Sequence, residues 1–289
     1  MRIRKPEARA VSGKNVGPER IHPTGQKKKE DVRTRQKKAI KKALFLSLLF
    51  FFAALQSIKH INKQSALQNR ELVILLHGLA RTERSMLKLE NRLSSSGYAV
   101  VNTTFPSTKH PIEYLSDVVL EGIIQQYYGN PQQKIHFVTH SFGGIIIRFY
   151  LKHHTLPNLG RTVMISPPNQ GSELVDRLKN TVFFKKFNGP AGSQLGTDKD
   201  SLPLNLGPVD FELGVISGNR SLNLINSLIL PGPDDGIVSV EGTKVAGMKD
   251  FIVLPQSHTY IMLSEKVINQ VIHFLKHGVF NHKTSPTYQ

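Results

Sequence analysis

A short stretch around Ser141 constrains the fold of this chain more than any other feature of the sequence. Residues 135–139 have the apolar and β-branched character of a buried strand, and an apolar, helix-like run begins at Ile145. A strand that turns so abruptly into a helix holds the intervening serine on a strained corner, a nucleophile elbow with the pattern G-x-S-x-G. Small residues are needed two positions either side of the serine because the two backbones pass closely, and here they are Thr139 and Gly143. The β-branched Thr139 departs from the pattern, and we expect it to crowd the helix crossing.

Strand-like and helix-like segments alternate along the chain from residue 71 onwards. This alternation predicts an α/β fold with a mostly parallel central sheet and helices on both faces. The continuous apolar run at 72–76 is typical of a central strand buried on both faces. We predict one domain over 68–281. Its predicted strands are 72–76, 98–102, 135–139, 161–166, 213–217 and 251–254, and its predicted helices are 83–96, 112–128, 145–151 and 260–277.

The segment from about 167 to 211 interrupts this alternation. It is rich in Gly, Pro and Phe and lacks a clear period. So long an irregular insertion in a compact domain is usually functional, which predicts a lid or binding loop, and a variable surface excursion is the alternative. Phe183, Phe184 and Phe187 make the insertion apolar and indicate an acyl or otherwise lipophilic substrate.

A serine hydroxyl needs a base to accept its proton, and that base needs a third group to orient it. In elbow-type enzymes these partners follow in the order Ser, Asp or Glu, His, each at the carboxyl end of a later strand. The loop after 213–217 carries Asp234 and Asp235; Asp235 is preferred because it directly precedes Gly-Ile-Val, where the chain must turn, but Asp234 remains possible. Of the 12 histidines, only His258 lies between the last strand and the last helix. The predicted catalytic residues are therefore Ser141, Asp235 and His258.

The negative charge that develops on a substrate carbonyl oxygen requires prepositioned N–H donors. We predict that the backbone N–H groups of Leu79 and Phe142 form this oxyanion hole, the first from the loop after His77-Gly78 and the second at a helix start. His77-Gly78-Leu79 could alternatively be a plain strand-ending turn. His77 and His140 are upstream of the acid and are expected to shape the substrate pocket, together with Phe183 and Phe184.

Two histidines four residues apart, His273 and His277, have the spacing of a metal-binding pair. No third ligand is evident, so a solvated helix face is the better interpretation. The chain contains no cysteine, which excludes disulfides, thiolate metal sites and a cysteine nucleophile. We expect no metal and no organic cofactor.

The net charge of +17 is concentrated in an amino-terminal tail. Residues 1–42 hold 15 Lys or Arg against 4 Asp or Glu, a balance of +11 that leaves +6 for the rest. Such a tail is predicted to be disordered, and without interleaved aromatic residues it does not indicate nucleic-acid binding. The apolar segment that follows, within 43–58, favours a secretion signal or an uncleaved membrane anchor, with a buried core helix as the alternative. We therefore expect a membrane-anchored or exported protein of the bacterial inner membrane or periplasm.

Together these residues resemble those of the α/β-hydrolase superfamily, and within it bacterial serine esterases and triacylglycerol lipases. The resemblance spans about residues 70–278, and the first 65 or so residues have no part in it. It implies a Ser-His-Asp triad, an acyl-enzyme intermediate and a lid formed by the insertion. Carboxylic ester hydrolysis is the leading hypothesis. Acyl transfer or thioester cleavage is an alternative because the same triad serves any acyl acceptor, and a non-catalytic, membrane-tethered binding module is another. The motifs that carry the resemblance are His77-Gly78-Leu79, Thr139-His140-Ser141-Phe142-Gly143-Gly144, Pro167-Pro168-Asn169-Gln170-Gly171-Ser172, Asp235-Gly236-Ile237-Val238 and His258.

Overall fold

The computed structural model describes residues 33, 37–38, 41–42, 44–52, 70–127 and 130–284. The chain divides into two units, 1–61 and 62–289, each of which is described on its own. In the first unit, residues 44–52 are helical and their large apolar side chains are exposed. Within the described part of the chain, no helix combines the length and apolar character that a membrane crossing requires. Most of the predicted basic tail, together with residues 43 and 53–58 of the apolar segment, lies outside the described residues.

The second unit is built on a six-stranded sheet in the order β2-β1-β3-β4-β5-β6. Every neighbouring pair is parallel, which confirms the predicted parallel sheet. All five residues of β1 and all six of β3 are buried, as expected of central strands covered on both faces. The strands are β1 Leu72–Leu76, β2 Ala99–Asn102, β3 Ile135–His140, β4 Leu159–Ile165, β5 Leu213–Gly218 and β6 Asp250–Leu254.

Helices cover both faces of the sheet, and two apolar cores result. Apolar residues of α1 and α9 pack with one face, whereas those of α2, α3, α4 and the π-helix between α2 and α3 pack with the other. The predicted helix at 112–128 is thus three successive segments, and residues 128–129 lie outside the described range. The helices that cover the two faces are α1 Leu87–Ser95, α2 Ile112–Tyr114, the π-helix Leu115–Leu120, α3 Glu121–Tyr127, α4 Gly143–His153 and α9 Glu265–His277. Short 3-10 turns lie at Glu83–Met86, Glu241–Thr243, Ile261–Leu263 and His282–Thr284.

The insertion between β4 and β5 is helical, so the expectation of an irregular segment was wrong. Gly189, inside α6, has a φ of +62°, and a Cβ built there would lie 1.7 Å from the Thr108 carbonyl oxygen. This kink, followed by Pro190, changes the helix direction and breaks the periodic pattern that reveals a helix in sequence. The three helices are α5 Glu173–Leu178, α6 Val182–Ser193 and α7 Leu202–Asn205; α8, Leu224–Ser227, follows β5.

Arg148, a buried residue of α4, holds both ends of the insertion. Its Nη1 donates to the carbonyl oxygen of Asn169 at 3.0 Å, and its Nη2 donates to that of Gly207 at 2.6 Å. Burial lowers the pKa of the guanidinium to about 10, so the side chain stays charged at neutral pH. Hydrogen bonds from a charged donor offset part of the cost of burying that charge. The insertion is therefore fastened to the helix that follows Ser141.

Candidate active site

Ser141, Asp235 and His258 each follow a different strand and meet at one edge of the sheet. Ser141 follows β3, Asp235 lies in the loop after β5, and His258 follows β6. Loops at the carboxyl ends of parallel strands converge at the same edge, which is where α/β proteins place their ligand sites. The topology therefore brings His258 together with Ser141, 117 positions earlier, and with Asp235, 23 positions earlier.

The backbone at Ser141 adopts the strained conformation of an elbow. Its φ is +53°, a left-handed value that a non-glycine residue adopts at a cost of about 1–2 kcal/mol. The Ser141 N–H donates to the Ile165 carbonyl oxygen at 2.8 Å, which ties the corner to the end of β4. A Cβ at Gly143 would lie 2.5 Å from the Leu76 carbonyl oxygen. Glycine at this position thus allows α4 to pass directly against β1.

Thr139, the residue expected to crowd the elbow, is fully buried beneath the first turn of α4. A Cβ at Gly144 would lie 3.4 Å from its Oγ1, an ordinary contact distance, and 3.0 Å from Cβ of Pro167. The close approach at Gly144 is therefore to Pro167, and the threonine is accommodated at normal contact distance from this position.

The three side chains form a continuous hydrogen-bonded chain. His258 Nε2 lies 2.9 Å from Ser141 Oγ, and His258 Nδ1 lies 2.8 Å from Asp235 Oδ2. Asp234, the alternative acid, instead accepts from Ser227 Oγ at 2.9 Å and from the Gly236 N–H at 2.7 Å. Asp235, rather than Asp234, is thus the carboxylate that contacts the histidine.

Asp235 accepts three hydrogen bonds in addition to its contact with the His258 ring. Its Oδ1 accepts from the N–H groups of Ile237 at 3.0 Å and Val238 at 2.9 Å, and its carbonyl oxygen accepts from the His258 N–H at 2.9 Å. Burial alone would raise the pKa of Asp235, but the charge of His258, its hydrogen bond and that of Val238 outweigh this effect and lower the pKa. The carboxylate is consequently ionised at neutral pH and points one oxygen at the imidazole.

The backbone N–H groups of Leu79 and Phe142, which were predicted as oxyanion donors, make no hydrogen bond to the described protein. Phe142 has helical backbone angles immediately before α4, so its N–H belongs to the free first turn of that helix. Both residues line the cavity that contains Ser141. The two amides are thus available to a ligand oxygen.

His140 and His77 occupy different positions relative to this cavity. His140 lines it, and its Nε2 lies 3.1 Å from the carbonyl oxygen of His258. Burial is the main reason why the pKa of His140 lies well below its usual range, so the ring is neutral. His77 does not line the cavity; it is buried behind the wall, stacks on Phe105, and accepts from the Phe105 N–H through Nε2. His77, which directly follows β1, is thus not among the residues that line the cavity, although it was predicted to shape the pocket.

A cavity of about 380 Å³ opens above Ser141. Phe183 and Phe184 line it, whereas Phe187 contacts Phe183 with ring centroids 4.4 Å apart and does not line it. Arg81 also lines the cavity, and sequence reasoning missed it although it lies just after the His77-Gly78-Leu79 motif. Most of the apolar wall comes from the insertion: Leu174, Val175, Leu178, Phe183, Phe184 and Leu195.

Within the described residues, no group of three or more His, Cys, Asp or Glu side chains is arranged to hold a metal ion. The ring centroids of His273 and His277 lie 4.4 Å apart with the rings tilted by 45°, and His273 Nδ1 lies 2.8 Å from the Val279 carbonyl oxygen. One nitrogen of this pair is thus engaged by the protein backbone.

The parallel sheet, the strained serine after β3 and the hydrogen-bonded acid and histidine after β5 and β6 define an α/β-hydrolase fold. Residues 66–191 match the family model described as "Putative serine esterase (DUF676)". A comparison of the sequence with curated proteins found no match. The matched range includes the elbow and the loop with Leu79.

Solved structures of lipases and esterases share the fold. The lipase BlEst2 of Bacillus licheniformis in its mature form is 17% identical with a TM-score of 0.54, covering 72% of this chain and 92% of its own. The monoacylglycerol lipase of Paleococcus ferrophilus is 14% identical with a TM-score of 0.51, covering 72% and 94%. EstA of Clostridium botulinum is 13% identical with a TM-score of 0.51, covering 72% and 87%. These neighbours show the fold, and the matching family model supports a carboxylic ester hydrolase.

Proposed function

We propose that this protein hydrolyses carboxylic esters through a Ser141–His258–Asp235 triad. The observation that carries the proposal is the continuous chain of contacts from Ser141 Oγ through both ring nitrogens of His258 to Asp235, at the floor of a cavity. A serine hydroxyl becomes an effective nucleophile when a neutral imidazole nitrogen lies within hydrogen-bond reach, as Nε2 does here at 2.9 Å.

In the first half-reaction, Ser141 Oγ bonds to the ester carbonyl carbon while its proton passes to His258 Nε2. The tetrahedral intermediate collapses as the bond from carbon to the alcohol oxygen breaks, and His258 returns the proton to that oxygen. A water molecule then repeats the sequence on the acyl-enzyme and releases the acid. Asp235 stays ionised throughout, because its role is to hold the Nδ1–H tautomer and to stabilise the imidazolium.

The intermediate oxyanion would accept hydrogen bonds from the N–H groups of Leu79 and Phe142. Both amides lack a protein acceptor among the described residues, and the second lies at the amino-terminal end of α4, where the helix dipole favours negative charge. Each such donor contributes about 3–4 kcal/mol to transition-state stabilisation in well-studied serine enzymes.

A lipophilic acyl group is the substrate feature that the cavity favours. Its wall is mainly apolar and comes largely from the insertion, and a volume of about 380 Å³ lies at the small end of the usual range for ligand sites. We therefore propose that residues 167–211 act as a cap over acyl chains of short or medium length. Exposed apolar side chains lie on α6 and at α8, two helices that also contribute residues to the cavity lining, which is consistent with a water-insoluble substrate; among them are Phe183, Leu224 and Leu228.

Membrane association through residues 43–58 is a separate proposal. The apolar side chains of Leu44 to Phe52 are exposed, and burying so continuous an apolar surface in a lipid phase would remove it from water. We propose an anchored or exported protein. Fractionation of cells should place the chain with membranes or outside the cytoplasm, and an uncleaved chain wholly in the soluble cytoplasmic fraction would contradict this.

The catalytic proposal is tested by Ser141→Ala. The variant should lose at least about 10⁴-fold in kcat on a nitrophenyl ester, since only the oxyanion hole and binding would remain. Ser264→Ala is the matched control, because Ser264 precedes α9 and its side chain makes no capping hydrogen bond; its rate should stay within twofold of wild type. Undiminished hydrolysis by Ser141→Ala would refute the proposal.

The acyl preference is tested with nitrophenyl esters from acetate to palmitate. The kcat/KM should be highest for short or medium chains and fall for long ones. Phe184→Ala, which enlarges the cavity by removing a ring from its wall, should shift the optimum of kcat/KM to longer acyl chains. An optimum that does not move would show that the acyl chain lies elsewhere.

A further inference from the structure

The cavity that contains Ser141 carries a cation without a counter-charge. Arg81 is exposed and is the one Lys, Arg, Asp or Glu among the described residues that line this cavity. Its guanidinium forms no hydrogen bond or ion pair with another described residue. Five N–H donors at the cavity wall are thus available to a ligand.

The backbone that carries Arg81 is held in place next to the proposed oxyanion hole. The Arg81 N–H donates to the Gly78 carbonyl oxygen at 3.2 Å. The preceding Ala80 has a φ of +53°, and its N–H donates to Ser107 Oγ at 3.1 Å. These two hydrogen bonds hold the backbone of the turn. Arg81 is two residues after Leu79, so its side chain starts close to the proposed oxyanion donor.

The position of Arg81 places its charge on the side of the leaving group. His258 must protonate the departing alcohol oxygen, so the alcohol portion of an ester lies next to its ring. His140 contacts the His258 carbonyl oxygen, and the two rings lie 4.9 Å apart. The 3-10 turn Glu83–Met86, which begins two residues after Arg81, contacts the 3-10 turn Ile261–Leu263, which begins three residues after His258. Arg81 and His258 also line the same cavity, so the arginine comes from a segment that packs beside the histidine loop.

The apolar wall of the cavity is contributed by a different part of the chain. Residues 174–195 of the insertion supply most of it, whereas Arg81 comes from the loop after β1 and Thr259 from the loop after β6. We expect an ester that places its acyl chain against the insertion to place its alcohol portion on the side of His258 and Arg81.

We propose that Arg81 binds an anionic group, a phosphate or a carboxylate, on the alcohol portion of the ester. The preferred substrates are then amphiphilic esters with an apolar acyl chain and a negatively charged alcohol. A planar guanidinium matches both oxyanions because it can donate two parallel hydrogen bonds. This inference rests on the proposed ester hydrolysis and specifies its substrate class.

The test compares three butyrate esters with related aryl leaving groups. The leaving groups are methyl 4-hydroxybenzoate, which is neutral, 4-hydroxybenzoate, which carries a carboxylate, and 4-hydroxyphenyl phosphate. The measured quantity is the ratio of kcat/KM for each anionic ester to that for the neutral ester, in the full-length chain. Arg81→Gln should lower this ratio roughly tenfold, the effect expected for loss of one charge-assisted pair that is partly exposed to solvent.

Arg84→Gln is the matched control, since Arg84 is exposed in the same segment and does not line the cavity. It should leave the ratio within twofold of wild type. Arg81→Lys should retain part of the preference, because the charge remains and the paired geometry is lost. Added salt should reduce the wild-type preference but not that of Arg81→Gln.

If Arg81→Gln left the ratio of anionic to neutral kcat/KM unchanged, the inference would be overturned. If Arg84→Gln lowered this ratio as much as Arg81→Gln does, the inference would also be overturned, because the effect would then come from the general surface potential. A drop with the carboxylate ester alone or with the phosphate ester alone supports the inference and identifies the anion. Failure of the underlying function gives a different result: Ser141→Ala would then hydrolyse the neutral ester at the wild-type rate.

Discussion

Replacing Asp235 with asparagine is the most informative single change at this site. Oδ1 of Asp235 accepts from the N–H groups of Ile237 and Val238, and an asparagine oxygen would keep those two contacts. Its amide nitrogen would then face His258 Nδ1, 2.8 Å away, as a donor. The imidazole would have to place its proton on Nε2, where it faces Ser141 and blocks acceptance of the serine proton.

The expected loss follows from this wrong tautomer. The corresponding change in a well-studied serine protease, which is the example behind the general rule, lowers kcat about 10⁴-fold. That factor corresponds to a rise of about 5.4 kcal/mol in the activation free energy. We expect Asp235→Asn to lose activity on this scale on a nitrophenyl ester, with KM changed little because the acid does not line the cavity.

Asp234 provides a matched control one residue away. It is also buried, but its carboxylate accepts from Ser227 Oγ and the Gly236 N–H, contacts that an asparagine oxygen can retain. Asp234→Asn should keep kcat within about threefold, and circular dichroism should show that both variants are folded. If Asp234→Asn lost activity and Asp235→Asn stayed within tenfold of wild type, the assignment of the acid would be wrong.

Two further predictions concern stability, measured as the urea dependence of unfolding. Gly143→Ala should destabilise the domain by about 1–3 kcal/mol or more, because its Cβ would collide with the backbone of β1 at 2.5 Å. The control is Gly122→Ala, whose Cβ would meet nothing within 4 Å and which should be neutral or stabilising by up to about 1 kcal/mol. Equal changes in the unfolding free energy of the two variants would refute this account of the elbow. The second prediction concerns pH. Burial lowers the pKa of three histidines below 6.5, so the unfolded chain binds protons that the folded chain does not, and the unfolding free energy should fall as pH drops below about 6.5. The slope of this fall should be smaller in His140→Gln, and a slope that His140→Gln leaves unchanged would contradict the prediction. The three buried histidines are His77, His136 and His140.

The sequence contained enough information to predict the sheet and the order of the site residues. Strands buried on both faces are continuous apolar runs, so Leu72–Leu76 could be recognised without knowledge of its neighbours. The rule that Ser, acid and His follow successive strand ends then left few choices. Asp234 and Asp235 could not be separated with certainty, because the choice depends on which side chain the turn at Gly236 directs toward His258.

The remaining features depend on contacts between distant segments. Thr139 was expected to crowd the elbow, and only the packed structure shows that it lies at ordinary contact distance from the position of Gly144. The helices of the insertion were missed because α6 bends at Gly189 and the other two are short. Arg81 lies beside a recognised motif, yet its place in the cavity follows from the turn that Ser107 holds. Local patterns predict elements, whereas these features arise from tertiary packing.

Covalent labelling tests the central claim most directly. A fluorophosphonate reacts with a serine hydroxyl that an adjacent base has activated, and it stays attached to that oxygen. Mass spectrometry of the digested protein should locate a single adduct on Ser141, and labelling should be abolished in Ser141→Ala and strongly slowed in His258→Gln. An adduct on another serine, or no reaction by the folded wild-type protein, would contradict the assignment of Ser141 as the nucleophile.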